Sequence, residues 1–239
     1  MRLILAMSAT LEPVPLQHEG PPDLSLWRVD VSFDASLDAP AFRSLSDEER
    51  NRAHQFRRHE DALRFATTRA ALRELLARRS GADAPAVRLS VDENGRPRLA
   101  ASSVLDFNVS HAGACGLIAI SAARRVGVDI EQCVSTFDWR SIVALTLDPD
   151  EATWIERLAP SQQMAAFYDA WTAKEALVKT TGAGIARGLQ HLTVLPREGR
   201  CVKLRNAVPD DMRTLAAQWI TAPQGYAACV AWSLTPLAS

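Results

Sequence analysis

The sequence predicts an α+β fold made of two helix-and-strand halves. Two observations carry this expectation. A long helical stretch followed by strands occurs first in the N-terminal part of the chain and again in the C-terminal part, an order that argues against a parallel doubly wound sheet. The 239 residues are 47% hydrophobic and 23% charged, which is the make-up of a globular chain able to bury one large core or two small ones.

Taken in order, residues 12–23 hold Pro13, Pro15, Gly20, Pro21 and Pro22, a density of breakers that predicts an extended leader over 1–23. Leu24, Leu26, Val29 and Val31 predict a first strand. Ser46 with Glu49 three residues on forms an S-x-x-E capping box, and the chain then reads as helical, with one break allowed, to Ser80, where Gly81 offers a left-handed stop. Arg57, Arg58, Arg64, Arg69, Arg73, Arg78 and Arg79 make this helix basic, and for most of them a solvated face is the expected role. Strands are expected at 87–91, 104–109 and 116–121, with a turn at Asp92-Glu93-Asn94-Gly95. Over 125–131, Val126, Val128 and Ile130 alternate with Gly127, Asp129 and Glu131, the period of a strand. Helices follow at 149–158 and 160–181, the second stopped by Gly182, and closing strands are expected at 192–195, 201–204 and 226–233. This divides the chain into the leader, an N-terminal half over 24–124 and a C-terminal half over 125–239.

With 27 Lys and Arg against 28 Asp and Glu, the net charge is −1, which argues against bulk attraction to nucleic acid or an anionic membrane. Residues 1–7 are too short an apolar stretch for a secretory signal or a membrane span, so a cytoplasmic protein is expected. Four dispersed cysteines suggest neutral thiols and neither a disulfide framework nor a zinc knuckle. No H-E-x-x-H, Walker A or G-x-G-x-x-G pattern is present.

Three segments carry chemistry. Asp129 and Glu131, two apart on a strand, share one face and can hold a hard cation, although a D-x-E on an edge strand is also a common solvated face. In Trp171-Thr172-Ala173-Lys174-Glu175-Ala176-Leu177-Val178-Lys179, helical spacing puts Trp171, Glu175 and Lys179 together. Glu175 and Lys179 are then either a surface ion pair or a metal ligand beside a cation for phosphate. His111, in Asn108-Val109-Ser110-His111-Ala112-Gly113, ends a strand among small residues that leave room for a ligand.

The ordered pair Gly127-Val128-Asp129-Ile130-Glu131 and Trp171-x-x-Lys174-Glu175-Ala176-x-x-Lys179 resembles the signature of the 4′-phosphopantetheinyl transferases, specifically the surfactin-type, monomeric, double-length subfamily. The resemblance extends through 56–64, Asn94-Gly95-Arg96-Pro97 and 107–111, covering most of 46–194. It implies two similar halves related by a pseudo-twofold, each a small antiparallel sheet packed on a long helix, with coenzyme A in the cleft between them and Mg²⁺ on its pyrophosphate. By motif position, Asp129, Glu131 and Glu175 would hold the metal and His111 would contact phosphate. Arg64 and Arg96 would hold the nucleotide end, and Lys174 and Lys179 would face the phosphates. Glu151 is a second candidate base beside Glu175. Relatives often carry lysine where this chain has Arg96 and Ala183.

The implied reaction moves the phosphopantetheine arm of coenzyme A to a serine of an apo acyl or peptidyl carrier protein and releases adenosine 3′,5′-bisphosphate. Carboxylate-held Mg²⁺ with flanking Lys, His and Arg suits that chemistry. The rivals are a metal-dependent phosphohydrolase, which releases phosphate without a carrier protein, and a non-catalytic module that binds coenzyme A or a nucleotide irrespective of Mg²⁺.

Overall fold

The computed structural model describes residues 3–5, 9–16, 20–100, 105–182, 188–206 and 208–237. Its strands are β1 (Leu3–Leu5), β2 (Ala9–Val14), β3 (Leu24–Val31), β4 (Leu89–Val91), β5 (Pro97–Leu99), β6 (Asp106–Ala112), β7 (Cys115–Ser121), β8 (Val126–Gln132), β9 (Leu215–Trp219) and β10 (Tyr226–Ser233). Its helices are α1 (Asp47–His54), α2 (His59–Ser80), α3 (Val143–Thr146), α4 (Pro149–Glu156) and α5 (Pro160–Thr181). The strands form three antiparallel sheets, ordered β1-β2-β3-β7-β6, β8-β10-β9 and β4-β5. The fold is mixed α+β.

The alternation along each strand decides the layering. In β7, Ile118 and Ile120 point to a core shared with Ala71, Leu72, Leu75 and Leu76 of α2. Leu117 and Ala119 point the other way, onto Val126, Val128 and Ile130 of β8 and Val230 and Trp232 of β10. The opposite face of β10, with Cys229 and Ala231, packs under α5. The order of layers is therefore α2, five-stranded sheet, three-stranded sheet, α5, with an apolar core at each of the three joins.

The helix ends follow local chemistry. Both arms of the Ser46/Glu49 capping box are made at α1, and Gly81 and Gly182 stop α2 and α5 in the left-handed region at φ 72° and 76°. The break expected inside the first helical stretch lies between His54 and His59.

Several expectations are corrected. Part of the expected leader belongs to the fold, since β2 pairs with β3 and Leu11 is fully buried. The segments at 192–195 and 201–204 form single bridges, Thr193 to Arg205 and Cys201 to Gln218, and the strand beside β10 is β9.

Sheet edges β6 and β8 lie side by side, and side chains join them. Alternate residues of β6 face β8: Asp106 Oδ2 accepts from Val126 N at 2.9 Å, and Asn108 Oδ1 accepts from Val128 N at 2.9 Å. Ser110 Oγ donates to Asp129 Oδ1 at 2.8 Å. Two edge amides are thus satisfied by polar side chains at i and i+2, and the residue at i+4 binds the Asp129 carboxylate instead.

Candidate active site

The site begins with a glycine. Gly127 faces α5, and a Cβ there would lie 2.1 Å from Ala176 O and 2.5 Å from Thr180 Oγ1. Only glycine lets the helix backbone come this close to a strand. Two residues further, Asp129 meets Lys179, whose Nζ donates to Asp129 Oδ1 at 2.5 Å. Ser110 closes the group, with its Oγ 3.3 Å from Lys179 Nζ. The other carboxylate oxygen, Asp129 Oδ2, is buried with no hydrogen-bond partner.

Charge is crowded here. Burial, then the neighbouring Asp129 carboxylate, pushes Glu131 up to about 7, with Glu175 adding to the effect. Burial and Asp129 likewise raise Glu175 above the ordinary carboxylate value, against the opposing pull of Lys179. Burial alone would lower Lys179, but Asp129, Glu175 and Glu131 outweigh it and hold the ammonium above the usual lysine value. His111 stands near the end of β6; desolvation, opposed by a backbone hydrogen bond and aided by the cations Arg64 and Lys179, lowers it below the ordinary imidazole value.

Two hollows flank this group. One, of about 310 Å³, is lined by Asn94, Gly95, Arg96, Asn108, Lys179 and Gly182. The other, of about 530 Å³, runs from Glu131 and Gly113 to an aromatic wall of Phe137, Tyr168 and Trp171.

A family model described as the 4′-phosphopantetheinyl transferase superfamily matches residues 125–231, and one described as 4′-phosphopantetheinyl transferase, N-terminal, matches residues 36–123. The chain is 33% identical to protein slr0495 of Synechocystis sp. over 81% of each chain. It is 31% identical to the 4′-phosphopantetheinyl transferase HetI of Nostoc sp., covering 82% of this chain and 91% of HetI. A 4′-phosphopantetheinyl transferase of Bacillus subtilis is 30% identical over 63% of this chain and 66% of its own. The chain belongs to the 4′-phosphopantetheinyl transferase superfamily.

In this phosphopantetheinyl transferase, the structure brings Asp129, Glu131, Glu175 and Lys179 into one electrostatic group. Among the described residues, no three His, Cys, Asp or Glu side chains are drawn together tightly enough to ligate an ion. The donor set nevertheless fits a divalent cation: a buried carboxylate oxygen lacks a partner, and two neighbouring carboxyls are raised first by burial and then by the Asp129 charge, which a cation would offset.

Other expected residues of the transferase lie elsewhere. Lys174 and Glu151 have no exposed side-chain surface and pair with each other in the interior. Lys174 Nζ also donates to Thr146 O at 2.8 Å, and Glu151 Oε1 accepts from Val194 N at 2.6 Å and Leu195 N at 3.0 Å. Neither lines the two hollows described above, and their burial against each other departs from the placement expected for a phosphate ligand and a base. Helical spacing explains this: position 174 points away from the face that 175 and 179 share.

Arg96 also turns inward. Its Nη2 donates to both oxygens of Asp106 and to Phe107 O and Val126 O, and Nη1 donates to Lys179 O at 2.5 Å. It ties the β4–β5 turn to the β6–β8 seam and to the end of α5, and those guanidinium nitrogens are spent on protein. Arg64 donates from Nε to Gly113 O at 2.7 Å and from Nη1 to Asp61, bracing the turn after His111. Ala183 lies outside the described residues.

Sequence reasoning left Asp106, Asn108 and Ser110 without roles. The available signal was polar residues at every second position of a strand otherwise bound for the core.

Proposed function

We propose that this enzyme transfers the 4′-phosphopantetheine arm of coenzyme A to a serine hydroxyl of an apo acyl or peptidyl carrier protein, with Mg²⁺, releasing adenosine 3′,5′-bisphosphate. The observation that carries the reading is the partnerless, buried Asp129 Oδ2 beside Glu131, Glu175 and the Lys179 ammonium. Family membership supports the transfer to carrier proteins.

In this reading Asp129, Glu131 and Glu175 hold the Mg²⁺. When bound, the ion screens the charge of the diphosphate and polarises its P–O bonds. The His111 ring donates an N–H to a phosphate oxygen. Lys179 Nζ donates to the oxygen on which negative charge collects as adenosine bisphosphate departs. A Glu175 carboxylate oxygen not engaged by the ion takes the serine proton, directly or through water. The aromatic wall of Phe137, Tyr168 and Trp171 beside Glu131 excludes water from the path of the arm.

We extend the proposal to the surfactin-type subfamily, with halves over 24–124 and 125–239 related by a pseudo-twofold, acting as a cytoplasmic monomer. Two 22-residue helices, each laid on an antiparallel sheet, support it, as do family models meeting between 123 and 125. No described helix is long and apolar enough to cross a membrane. The test is to incubate the protein with coenzyme A, Mg²⁺ and a panel of apo carrier proteins and weigh them intact. A gain of one phosphopantetheine, lost when the acceptor serine is changed to alanine, is expected. Phosphate release without modification of any carrier would instead favour a phosphohydrolase.

A further inference from the structure

We infer that Lys179 holds the place of the divalent cation in the ligand-free enzyme, so that the metal gains full access to Asp129 only as coenzyme A draws the ammonium away. This rests on the carboxylate assignment proposed above. It adds a binding order to that assignment: metal and coenzyme A load as a coupled pair, and Lys179 is the element that couples them.

The argument is geometric. The Asp129 side chain is 2% exposed, so whatever neutralises it must reach it through the small space shared with α5. That space is held by Lys179 Nζ, 2.5 Å from Oδ1, with Ser110 Oγ completing the contact to the same oxygen. Oδ2 is open, but an ion that also takes Oδ1 would sit at contact distance from the ammonium already there, and one on Oδ2 alone would share a single carboxylate with it, so like charges repel strongly in this partly desolvated pocket. The ammonium has to move.

Lys179 is built to move. Its side chain is 27% exposed and ends a flexible four-carbon stem, whereas the buried Lys174 on the same helix has no exposed surface. Its backbone, by contrast, is tethered, because Lys179 O accepts from Arg96 Nη1. The stem can swing while its root stays in place. Movement needs an anionic destination, and a diphosphate arriving beside α5 supplies one. Binding of the diphosphate then frees Oδ1, and by reciprocity the metal strengthens binding of the diphosphate.

The test uses the full chain with Mn²⁺ as the probe, counting free ion by electron paramagnetic resonance with and without coenzyme A. The wild-type protein should bind Mn²⁺ weakly alone and more tightly with coenzyme A. Lys179→Met should tighten Mn²⁺ binding in the absence of coenzyme A by about tenfold or more, and the gain from adding coenzyme A should shrink accordingly. Lys179→Gln, which keeps a hydrogen bond to Asp129 without the charge, should act in the same direction and serves if the methionine variant does not fold. Asp129→Asn introduced beside Lys179→Met should remove the tightened binding.

Unchanged or weaker Mn²⁺ binding in folded Lys179→Met and Lys179→Gln, with wild-type binding in coenzyme A still lost in Asp129→Asn, would overturn the inference and leave the carboxylate assignment standing. If Asp129→Asn left wild-type binding in coenzyme A untouched, the assignment would fall and the inference with it.

Discussion

At Gly127 one missing methyl group sets how close α5 stands to β8. Alanine there would place its Cβ 2.1 Å from Ala176 O, a backbone atom that cannot rotate aside. The helix would have to retreat, taking Glu175 and Lys179 away from Asp129. Gly127→Ala should destabilise the protein by about 1–3 kcal/mol, the usual effect of overpacking. Misplacement of the reacting groups should lower turnover by about 100-fold. Thermal unfolding and a carrier-protein assay check both, and wild-type values in each would show that the close approach is dispensable. Lys179 acts at the same scale. A charge that stabilises the leaving phosphate works mainly in the transition state, so Lys179→Ala should lower kcat more than it raises the KM for coenzyme A. Lys179→Arg should restore only part, since a planar guanidinium differs in shape from an ammonium. Near-normal kcat in Lys179→Ala would mark it as a mere ion-pair partner.

Between elements, the Glu151–Lys174 pair joins the first turn of α4 to α5 and to the backbone at Val194 and Leu195. Removing one partner strands a buried charge: Lys174→Met alone should cost about 3–5 kcal/mol. Glu151→Gln with Lys174→Met keeps an acceptor for the two amides and removes both charges, and should regain much of that loss. If Glu151 positions structure and is not the base, the double variant should keep its turnover below its unfolding temperature; a dead but folded double variant would return Glu151 to the chemistry. Much at this scale was legible in the sequence. The alternation through Val126, Val128 and Ile130 marks β8, and the capping box and the stop glycines mark the helix ends. The D-x-E and the W-x-x-K-E-A-x-x-K each sit within one regular element, so spacing alone gathers Asp129 with Glu131, and Glu175 with Lys179. Strand β9, Leu-Ala-Ala-Gln-Trp, has no β-branched residue and no clean alternation, and the prolines around β2 read as breakers. The inward turn of Arg96 and the Glu151–Lys174 pairing depend on contacts between separate elements, which no local period encodes.

For the whole molecule, the carboxylates of β8 and the lysine of α5 belong to one chain, as does His111 of the facing sheet. A monomer is the expected state if these residues form the whole site. Sedimentation should give a single species near 26.1 kDa, unchanged by coenzyme A and Mg²⁺. Turnover per chain should be constant on dilution; activity that falls on dilution would mean that a second chain completes the site.

The apolar layer between the two sheets gives each half a dependence on the other that reaches beyond the active site. Leu24, Leu26, Leu117 and Ala119 on one side cover Val126, Val128, Ile130 and Trp232 on the other. A fragment spanning 125–239 would retain α5 and its three strands yet bare that whole sheet face to water. It would also lose Asp106 and Asn108, leaving the amides of Val126 and Val128 open along a strand edge. Sticky face and open edge together make an orphaned fragment of this kind prone to cohere with its own copies. Light scattering on the purified 125–239 piece should find self-associated material, and adding the 1–124 piece should disperse it by restoring the natural cover.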